Sequence, residues 1–298
     1  MFLFSLRGYI PMKIIDLLKS PKVCISCELF PPKKGSELEH AQEVARTIAV
    51  QGVDYMSVTY GAAGTAVGKS VALVSEIERC GVPALAHLTC VGATEQRIEG
   101  VLDQLKAANV QNVLALRGDL PAGMDHVQGD YAHASDLVKK IKSYGDFCVG
   151  GATYPQGHPE AKSLDEDLEH TKLKVEAGCD FLVTQMFFDN TMFYNFMYRL
   201  LAKGIQVPVV AGIMPVTSLK QIEKIFTLSG TPVPAPLRAM AERFADHPAA
   251  LKQAGMAYAI GQIVDLIANG FSNIHIYTMN KPDVIGGIRS SLSEIIRS

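Results

Sequence analysis

The chain has 298 residues, of which 48% are hydrophobic, and it carries 28 lysines and arginines against 30 aspartates and glutamates. The formal net charge of -2 gives no electrostatic reason to expect a nucleic-acid or anionic-membrane partner. No apolar run approaches the roughly 20 residues that span a bilayer, so we expect a cytoplasmic protein. The first apolar stretch is too short for a signal peptide, and we predict either a disordered leader over 1–12 or a true start at Met12, followed by a single domain over 13–298.

Short β-branched or apolar runs alternate with amphipathic helical stretches along the whole chain. Helical stretches such as 36–52, 95–109 and 165–178 carry acidic residues early and end in Gly or Asn, as helices commonly do. The strand-like runs are 23–30, 54–60, 83–90, 112–118, 147–154, 180–188, 207–214 and 273–279.

This alternation predicts parallel strands that are joined by crossover helices. Repeated units without a break in composition favour a closed (β/α)8 barrel over an open sheet, with 281–298 as the closing helix. The interval between the last two strands has room for two or three helices where one is usual. We therefore expect extra helices over 231–244 and 247–270.

The stretch AGTAVGKS at 63–70 fits a relaxed phosphate-loop pattern between a strand-like run and a helical one. An NTPase would also need an acidic residue directly after a neighbouring strand to hold Mg²⁺, and Asp119 does not directly follow its apolar run. Ala63 stands where such a loop favours glycine. We interpret the stretch as the second βα loop of the barrel, with Lys69 facing solvent at the start of a helix.

Polar residues at the carboxyl ends of the strands form the candidate active site, because barrel sites lie at that face. Period two puts Cys24, Ser26 and Glu28 on one face of the first strand, and we expect this face to point into the barrel. Glu28 has apolar neighbours, which tend to raise the pKa of a carboxyl and suit a general acid. The other strand-end candidates are Thr59, Tyr60, His87, Arg117, Gly118, Asp119, Tyr154, His158, Gln185 and Tyr277.

The cysteines and histidines give little support for a metal. Cys24 and Cys27 form a C-x-x-C inside a strand, where residues three apart diverge, so we expect ordinary buried thiols. No second cysteine pair completes a zinc or iron–sulfur set. His87 and His158 share no ligand spacing, and we expect no metal.

Some of the strand-end residues also have a structural interpretation. Arg117 and Asp119 would serve as an ion pair, and His87 as a hydrogen-bonded core histidine. A G-x-G-x-x-G fingerprint after the first strand is absent. A dinucleotide would therefore have to lie over the loops, with Arg117, His158 and Lys174 meeting its phosphates.

Short motifs fall in order at the strand ends: CELFPPK at 27–33, VTYGA at 58–62, HLTC at 87–90, LRGD at 116–119, YPQGHPEA at 154–161, TQMFFD at 184–189, GIMPV at 212–216 and IYTMNK at 276–281. Together they resemble the methylenetetrahydrofolate reductase family, in its bacterial type with the catalytic barrel alone. The resemblance implies a homo-oligomeric flavoprotein with FAD. It would take a hydride from NADH or NADPH and reduce 5,10-methylenetetrahydrofolate to 5-methyltetrahydrofolate, in one-carbon metabolism and methionine biosynthesis.

The resemblance also implies roles for individual residues. Glu28 would be the general acid that protonates N10, so that the methylene bridge opens to an iminium cation. Asp119 would lie between flavin and pterin, where its charge stabilises that cation, and Gln185 would hydrogen-bond the pterin. The implied FAD contacts are Thr59, Tyr60, Ala62, His87, Arg117, Gly118, Asp119, Ala134, Tyr154, His158, Ala161, Asp167 and Lys174.

Several positions depart from the family pattern. Tyr277 and Lys281 would meet the folate tail, with Lys281 replacing an arginine of bacterial members. Leu219 stands where some members carry a phenylalanine that stacks on nicotinamide or folate. Leu173 and His170 replace an arginine and an asparagine beside the FAD phosphates. These changes concern the electron donor and the affinity for the cofactor.

Two other classes of protein are alternatives. A phosphate-binding aldolase or a metal-dependent lyase would need a Schiff-base lysine at a strand end or a set of metal ligands, and no strand-end lysine is present. A folate- or flavin-holding subunit of a larger redox complex would be expected to lose Glu28, which is present. We also expect no allosteric inhibition through a C-terminal regulatory domain.

Overall fold

A computed structural model of the protein describes residues 12–32, 34–60, 67–120, 128–229 and 231–297. The strands are β1 (Cys24–Leu29), β2 (Tyr55–Val58), β3 (Ala84–Thr89), β4 (Asn112–Leu116), β5 (Cys148–Thr153), β6 (Phe181–Thr184), β7 (Val209–Ile213) and β8 (Asn273–Ile276). They pair in chain order, all parallel, and β8 pairs with β1 to close the barrel. The predicted (β/α)8 barrel is confirmed. The predicted leader lies outside the described residues, apart from Met12.

Helices surround the barrel. They are α1 (Ile14–Leu18), α2 (Leu38–Ala49), α3 (Val67–Arg79), α4 (Glu95–Ala107), α5 (Ala134–Tyr144), α6 (Leu164–Glu176), α7 (Asn190–Ala202), α8 (Leu219–Ser229), α9 (Ala235–Arg243), α10 (Pro248–Ala268), α11 (Pro282–Ser291) and α12 (Ser293–Arg297), with a short 3₁₀ helix at Gly35–Glu37. The predicted extra helices are present as α9 and α10. The predicted closing helix is wrong in one respect: it is divided into α11 and α12, because the backbone leaves the helical region at Leu292 (φ -106, ψ 11).

Side-chain caps fix the starts of three helices. Thr94, Ser163 and Asp189 precede α4, α6 and α7, and each accepts a hydrogen bond from a backbone N–H of the first turn. Such a cap typically contributes about 1 kcal/mol of helix stability. The caps therefore help to set where each helix leaves the loop at the carboxyl end of the preceding strand.

The barrel is closed at its amino end by α1. Ile14 and Leu18 are buried against inward-facing side chains such as Leu114 and Phe181. The Ile14 backbone N–H donates to Asn112 Oδ1 at 2.8 Å, which ties the helix to the start of β4. Burying a large aliphatic side chain contributes about 1.5–3 kcal/mol, so this apolar plug also stabilises the barrel.

Cys24 and Cys27 lie on opposite faces of the barrel wall. Cys24 belongs to the inner apolar cluster, and Cys27 packs among the residues between strands and helices. Both thiols are free and buried, and burial raises the pKa of each well above its usual range. The prediction that they diverge as buried thiols is confirmed.

A polar layer lies inside the barrel above the plug. His275 of β8 makes contacts of 2.8 Å from Nδ1 to Ser26 Oγ and 3.4 Å from Nε2 to Ser57 Oγ. Burial, together with the neighbouring His87, lowers the pKa of His275 to about 3. The imidazole is therefore neutral at pH 7. The layer formed by Ser26, Ser57 and His275 is thus polar, and its imidazole is uncharged.

Candidate active site

Glu28 is the buried acid of the site. It lies near the end of β1 on the inward face with Cys24 and Ser26, as predicted, and only 7% of it is exposed. Burial raises the pKa of Glu28 to about 8. Its Oε2 lies 3.6 Å from His87 Nε2, and burial lowers the pKa of His87 to about 3. At pH 7 the two groups are therefore a protonated acid beside a neutral imidazole rather than an ion pair.

Tyr277 follows β8 and lies close to Glu28. Its hydroxyl donates to the Thr184 carbonyl at 2.8 Å, and burial, with the charge of Glu28 as the next cause, raises its pKa well above the usual value. Gly212 of β7 provides the space for this ring: a Cβ there would lie 2.8 Å from the tyrosine ring and 2.5 Å from the Thr184 carbonyl oxygen. The glycine at this position therefore permits the aromatic side chain to lie across the barrel.

A cavity of about 690 Å³ lies at the carboxyl ends of β2 to β5 and extends to α5 and α6. It brings together every described residue that was predicted to contact FAD: Thr59, Tyr60, His87, Arg117, Gly118, Asp119, Ala134, Tyr154, His158, Ala161, Asp167 and Lys174. Ala62 lies outside the described residues. The volume falls within the range of about 300–1,000 Å³ that is typical of ligand sites.

Arg117 is paired with Glu160 in the cavity wall. The two guanidinium nitrogens donate to the two carboxylate oxygens at 2.5 and 2.7 Å, a bidentate arrangement. The alternative pairing of Arg117 with Asp119 is wrong, and Asp119 is exposed. Glu160 was not predicted, although it stands in the YPQGHPEA motif, two residues after His158. The ion pair lowers the pKa of Glu160 and raises that of Arg117.

Asp167 and Lys174 form a charged, buried part of the cavity wall. Both project from α6, seven residues apart, and are 3% and 9% exposed. The Lys174 ammonium donates to the Ala152 carbonyl at 2.5 Å. Burial raises the pKa of Asp167 and lowers that of Lys174. Asp167 Oδ2 is buried without a hydrogen-bond partner among the described residues. A buried carboxylate oxygen of this kind is available to accept from a ligand hydroxyl.

The rim of the cavity includes two of the departures from the family pattern. His170 stacks on His133, with ring centroids 6.3 Å apart and an interplanar angle of 21°. His133, which was not predicted, precedes α5, and its backbone N–H donates to Asp136 Oδ2 at 3.0 Å. Leu173 is 51% exposed at the same rim. Imidazole and apolar groups therefore edge this side of the cavity.

The other predicted substrate residues do not line this cavity. Gln185 Oε1 accepts from the Met186 backbone N–H at 3.0 Å, so its amide caps its own loop. Lys281 Nζ donates to Thr217 Oγ1 at 2.9 Å. Leu219 is the first residue of α8 and is 37% exposed. These three residues belong to the loops after β6, β8 and β7, on the other side of the barrel mouth.

Lys69 does not face solvent as predicted. It lies in the first turn of α3, and its ammonium donates to the Pro32 carbonyl at 3.0 Å. The next residue, Ser70, donates from Oγ to the Thr59 carbonyl at 3.1 Å. The lysine thus ties the loop after β1 to the start of α3, whereas 61–66 lie outside the described residues.

The described part of the chain shows neither a cluster of metal ligands nor a membrane-spanning helix. Within it, no group of three or more His, Cys, Asp or Glu side chains is arranged to hold a metal ion. None of the helices described here is both long enough and apolar enough to cross a membrane.

The fold and site define the class of protein. Parallel strands closed into a ring, with a buried acid and a large cavity at their carboxyl ends, are the features of an enzyme-type (β/α)8 barrel. The family profile described as "Methylenetetrahydrofolate reductase" matches residues 13–293. The chain belongs to this family, and the resemblance seen in its motifs is confirmed.

Relatives from plants and bacteria agree with this assignment. The chain is 34% identical to "Methylenetetrahydrofolate reductase (NADH) 1" of Arabidopsis thaliana over 96% of this chain and 52% of that protein. It therefore spans about half the length of the plant relatives. The "5,10-methylenetetrahydrofolate reductase" of Escherichia coli (strain K12) is 33% identical, with 88% of each chain covered.

Solved structures share the fold at low identity. A protein from Clostridium thermocellum, described as uncharacterized and as binding two copies of 5-methyl-5,6,7,8-tetrahydrofolic acid, has a TM-score of 0.64 and 14% identity, over 95% of this chain and 100% of that one. A 2,3-dimethylmalate lyase has a TM-score of 0.54 and 12% identity, over 96% of this chain and 85% of that one. At these identities the likeness concerns the fold alone.

Proposed function

We propose that this chain reduces 5,10-methylenetetrahydrofolate to 5-methyltetrahydrofolate, with FAD as cofactor and NADH or NADPH as electron donor. Family membership supports the reaction. The observation that carries the proposal is Glu28, a carboxyl at the carboxyl end of β1 that burial keeps protonated at neutral pH. A flavin-holding subunit without this reaction would have no use for a buried acid at that position.

Glu28 supplies the proton that opens the substrate. The bond between the methylene carbon and N10 breaks, its electron pair stays on N10, and Glu28 gives N10 a proton. The methylene carbon is left as an iminium with N5, which a hydride then reduces to a methyl group. General acid assistance of this kind is typically worth about 10²–10⁴-fold in rate. Asp119, at the cavity wall, would stabilise the positive charge of the iminium.

The cavity fits a dinucleotide cofactor. Asp167 offers a buried, unpartnered carboxylate oxygen to a ligand hydroxyl, and Lys174 brings an ammonium to the same wall, while Arg117 would meet a phosphate by exchanging Glu160 for it. FAD, when bound, would accept a hydride from the pyridine nucleotide and supply it to the methylene carbon. The residues proposed to hold FAD are Thr59, Tyr60, Ala62, His87, Arg117, Gly118, Asp119, Ala134, Tyr154, His158, Ala161, Asp167 and Lys174.

The folate would lie across the remaining strand ends. Gln185 is proposed to bind the pterin, and Leu219, Tyr277 and Lys281 the rest of the molecule, since they occupy the loops opposite the cavity. The plant relatives carry NADH in their names, which supports NADH as the first donor to test. We further propose that 13–298 act as one catalytic domain and that the protein forms homo-oligomers.

Anaerobic spectroscopy of the purified protein tests this function. The protein is expected to be yellow, to be bleached by one equivalent of NADH or NADPH per flavin, and to recover its colour when methylenetetrahydrofolate is added, with one 5-methyltetrahydrofolate formed per flavin. Bleaching without recovery would favour the alternative of a flavin-holding subunit. A colourless preparation that contains metal would refute the proposal.

A further inference from the structure

The barrel wall is incomplete beside Glu28. Pairing between β1 and β8 ends at Cys27 and Ile276, one residue before Glu28. Pairing with β2, on the other side of β1, continues to Leu29 and Val58. The backbone that carries the acid therefore has a strand partner on one side only, and the other side depends on different contacts.

Two side chains after β8 supply those contacts. Thr278, which is 1% exposed, donates from Oγ1 to the Glu28 carbonyl at 3.0 Å. Asn280 binds the backbone of Phe30 twice: Oδ1 accepts from the Phe30 N–H at 2.8 Å, and Nδ2 donates to the Phe30 carbonyl at 3.0 Å. The hydrogen bonds of the missing strand pairs are thus replaced by a side-chain clamp formed by Thr278 and Asn280.

The backbone of the clamp is held in an unusual conformation. Met279 and Asn280 both have positive φ values, 55° and 58°, in the left-handed region. For a residue such as Met279 this conformation typically costs about 1–2 kcal/mol, whereas asparagine tolerates it better, and it persists where the surroundings fix it. The two left-handed residues reverse the chain after Thr278, so that the Asn280 amide meets the end of β1. This strained turn lies directly beside the backbone that carries Glu28.

We propose that Thr278 and Asn280 are positioning residues that hold the Glu28 carboxyl in line with the atom it protonates. This inference rests on the proposed role of Glu28 as the acid. The clamp restrains the backbone at Glu28 itself and again two residues later, at Phe30, so it limits movement of the backbone from which the Glu28 carboxyl projects. A misplacement of about 1 Å can reduce the rate about 10²-fold in a proton transfer that needs near-contact geometry.

Asn280→Gly is the decisive variant. Glycine favours the left-handed backbone, so the change removes the amide clamp without adding strain. Asn109→Gly is the matched control, because Asn109 also has a positive φ, 60°, but is exposed after α4 at the amino end of the barrel. Thr278→Val removes the hydroxyl at almost constant shape, and Thr278→Ser restores it.

The half-reactions are measured separately by anaerobic stopped-flow with the FAD-loaded enzyme. Asn280→Gly and Thr278→Val are expected to retain flavin and to be reduced by pyridine nucleotide within about twofold of the wild-type rate, while reoxidation by methylenetetrahydrofolate slows about 10–100-fold. As the pH rises, reoxidation of these variants is also expected to slow at a lower pH than reoxidation of the wild type. The reason is that a loosened carboxyl is better hydrated, so its pKa falls. Thr278→Ser and Asn109→Gly are expected to stay near the wild type.

The outcomes separate the clamp from the function on which it rests. If Asn280→Gly and Thr278→Val are reoxidised at the same rates and with the same pH profiles as the wild type, the clamp hypothesis is refuted and the proposed function is unaffected. Equal losses in both half-reactions would overturn it as well, because they would indicate general damage. If the wild-type protein itself is not reoxidised by the folate, the proposed function fails and the clamp hypothesis fails with it.

Discussion

Replacing Glu28 with glutamine tests the acid directly. The amide keeps the shape of the side chain but cannot deliver a proton. At pH 7 a carboxyl with a pKa of about 8 is about 90% protonated, whereas one with the usual 4.5 is about 0.3% protonated, so burial increases the available acid about 300-fold. We expect Glu28→Gln to bind FAD and be reduced at a near-normal rate, while its reoxidation by methylenetetrahydrofolate slows about 10²–10⁴-fold.

Anaerobic stopped-flow of each half-reaction is the assay, repeated across a pH series. The wild-type reoxidation rate should fall as the pH rises through about 8, since Glu28 then loses its proton. Glu39→Gln, an exposed change on α2, is the control. Equal losses in both half-reactions would mean that Glu28 is structural, and a loss in neither would remove it from the mechanism.

Stability gives a second measure of the same carboxyl. Burial favours its protonated form, so its contribution to folding is complete below the unfolded-state pKa of 4.5 and is lost as the pH rises through about 8. The melting temperature of the Glu28→Gln apoprotein minus that of the wild-type apoprotein should therefore increase as the pH rises from 4.5 to about 8. A constant difference in calorimetry would contradict the burial argument.

Three further outcomes are expected. Asp167→Asn removes a buried charge that is available to the ligand, so titration with FAD should show an affinity weaker by about tenfold or more. An unchanged affinity would contradict the proposed contact between Asp167 and FAD. Lys69→Ala removes a hydrogen bond to the Pro32 carbonyl outside the cavity lining, so flavin content and reductase activity should stay nearly unchanged, whereas ATP hydrolysis by the wild type that this variant loses would revive the phosphate-loop interpretation. Within α10, Gly255→Ala should destabilise the protein by about 1–3 kcal/mol or more, since a Cβ would lie 1.7 Å from the Val216 carbonyl oxygen. Gly261→Ala, in open space on the same helix, should stabilise the protein by about 0.5–1 kcal/mol. Equal denaturation curves for the two variants would contradict both predictions.

Periodic patterns were sufficient to predict the fold. Each observed strand lies within its predicted run, because short β-branched or apolar runs and the period of amphipathic helices are local properties of the sequence. The division of the closing helix at Leu292 was missed, since no Gly or Pro marks it.

The site was predicted in position but not in its contacts. Parallel strands end at one face, so residues at those ends were bound to meet, and the predicted FAD contacts share one cavity. The pairing of Arg117 with Glu160 and the bonds from Asn280 to Phe30 join loops far apart in the chain. Periodicity says nothing about which loop residues bond across such distances. The residue roles themselves stay predictions.

The plug at the amino end of the barrel has a consequence for the order of events in turnover. Ile14 and Leu18 shut that end with hydrocarbon, and His275, in the layer below Glu28, has a pKa of about 3 and is a neutral imidazole at pH 7. If Glu28 acts as the proposed acid, its proton would be replaced from the carboxyl face of the barrel, where the cavity lies. In the proposed mechanism, product bound at that face would shield Glu28 from water, so the product would leave before the proton is replaced.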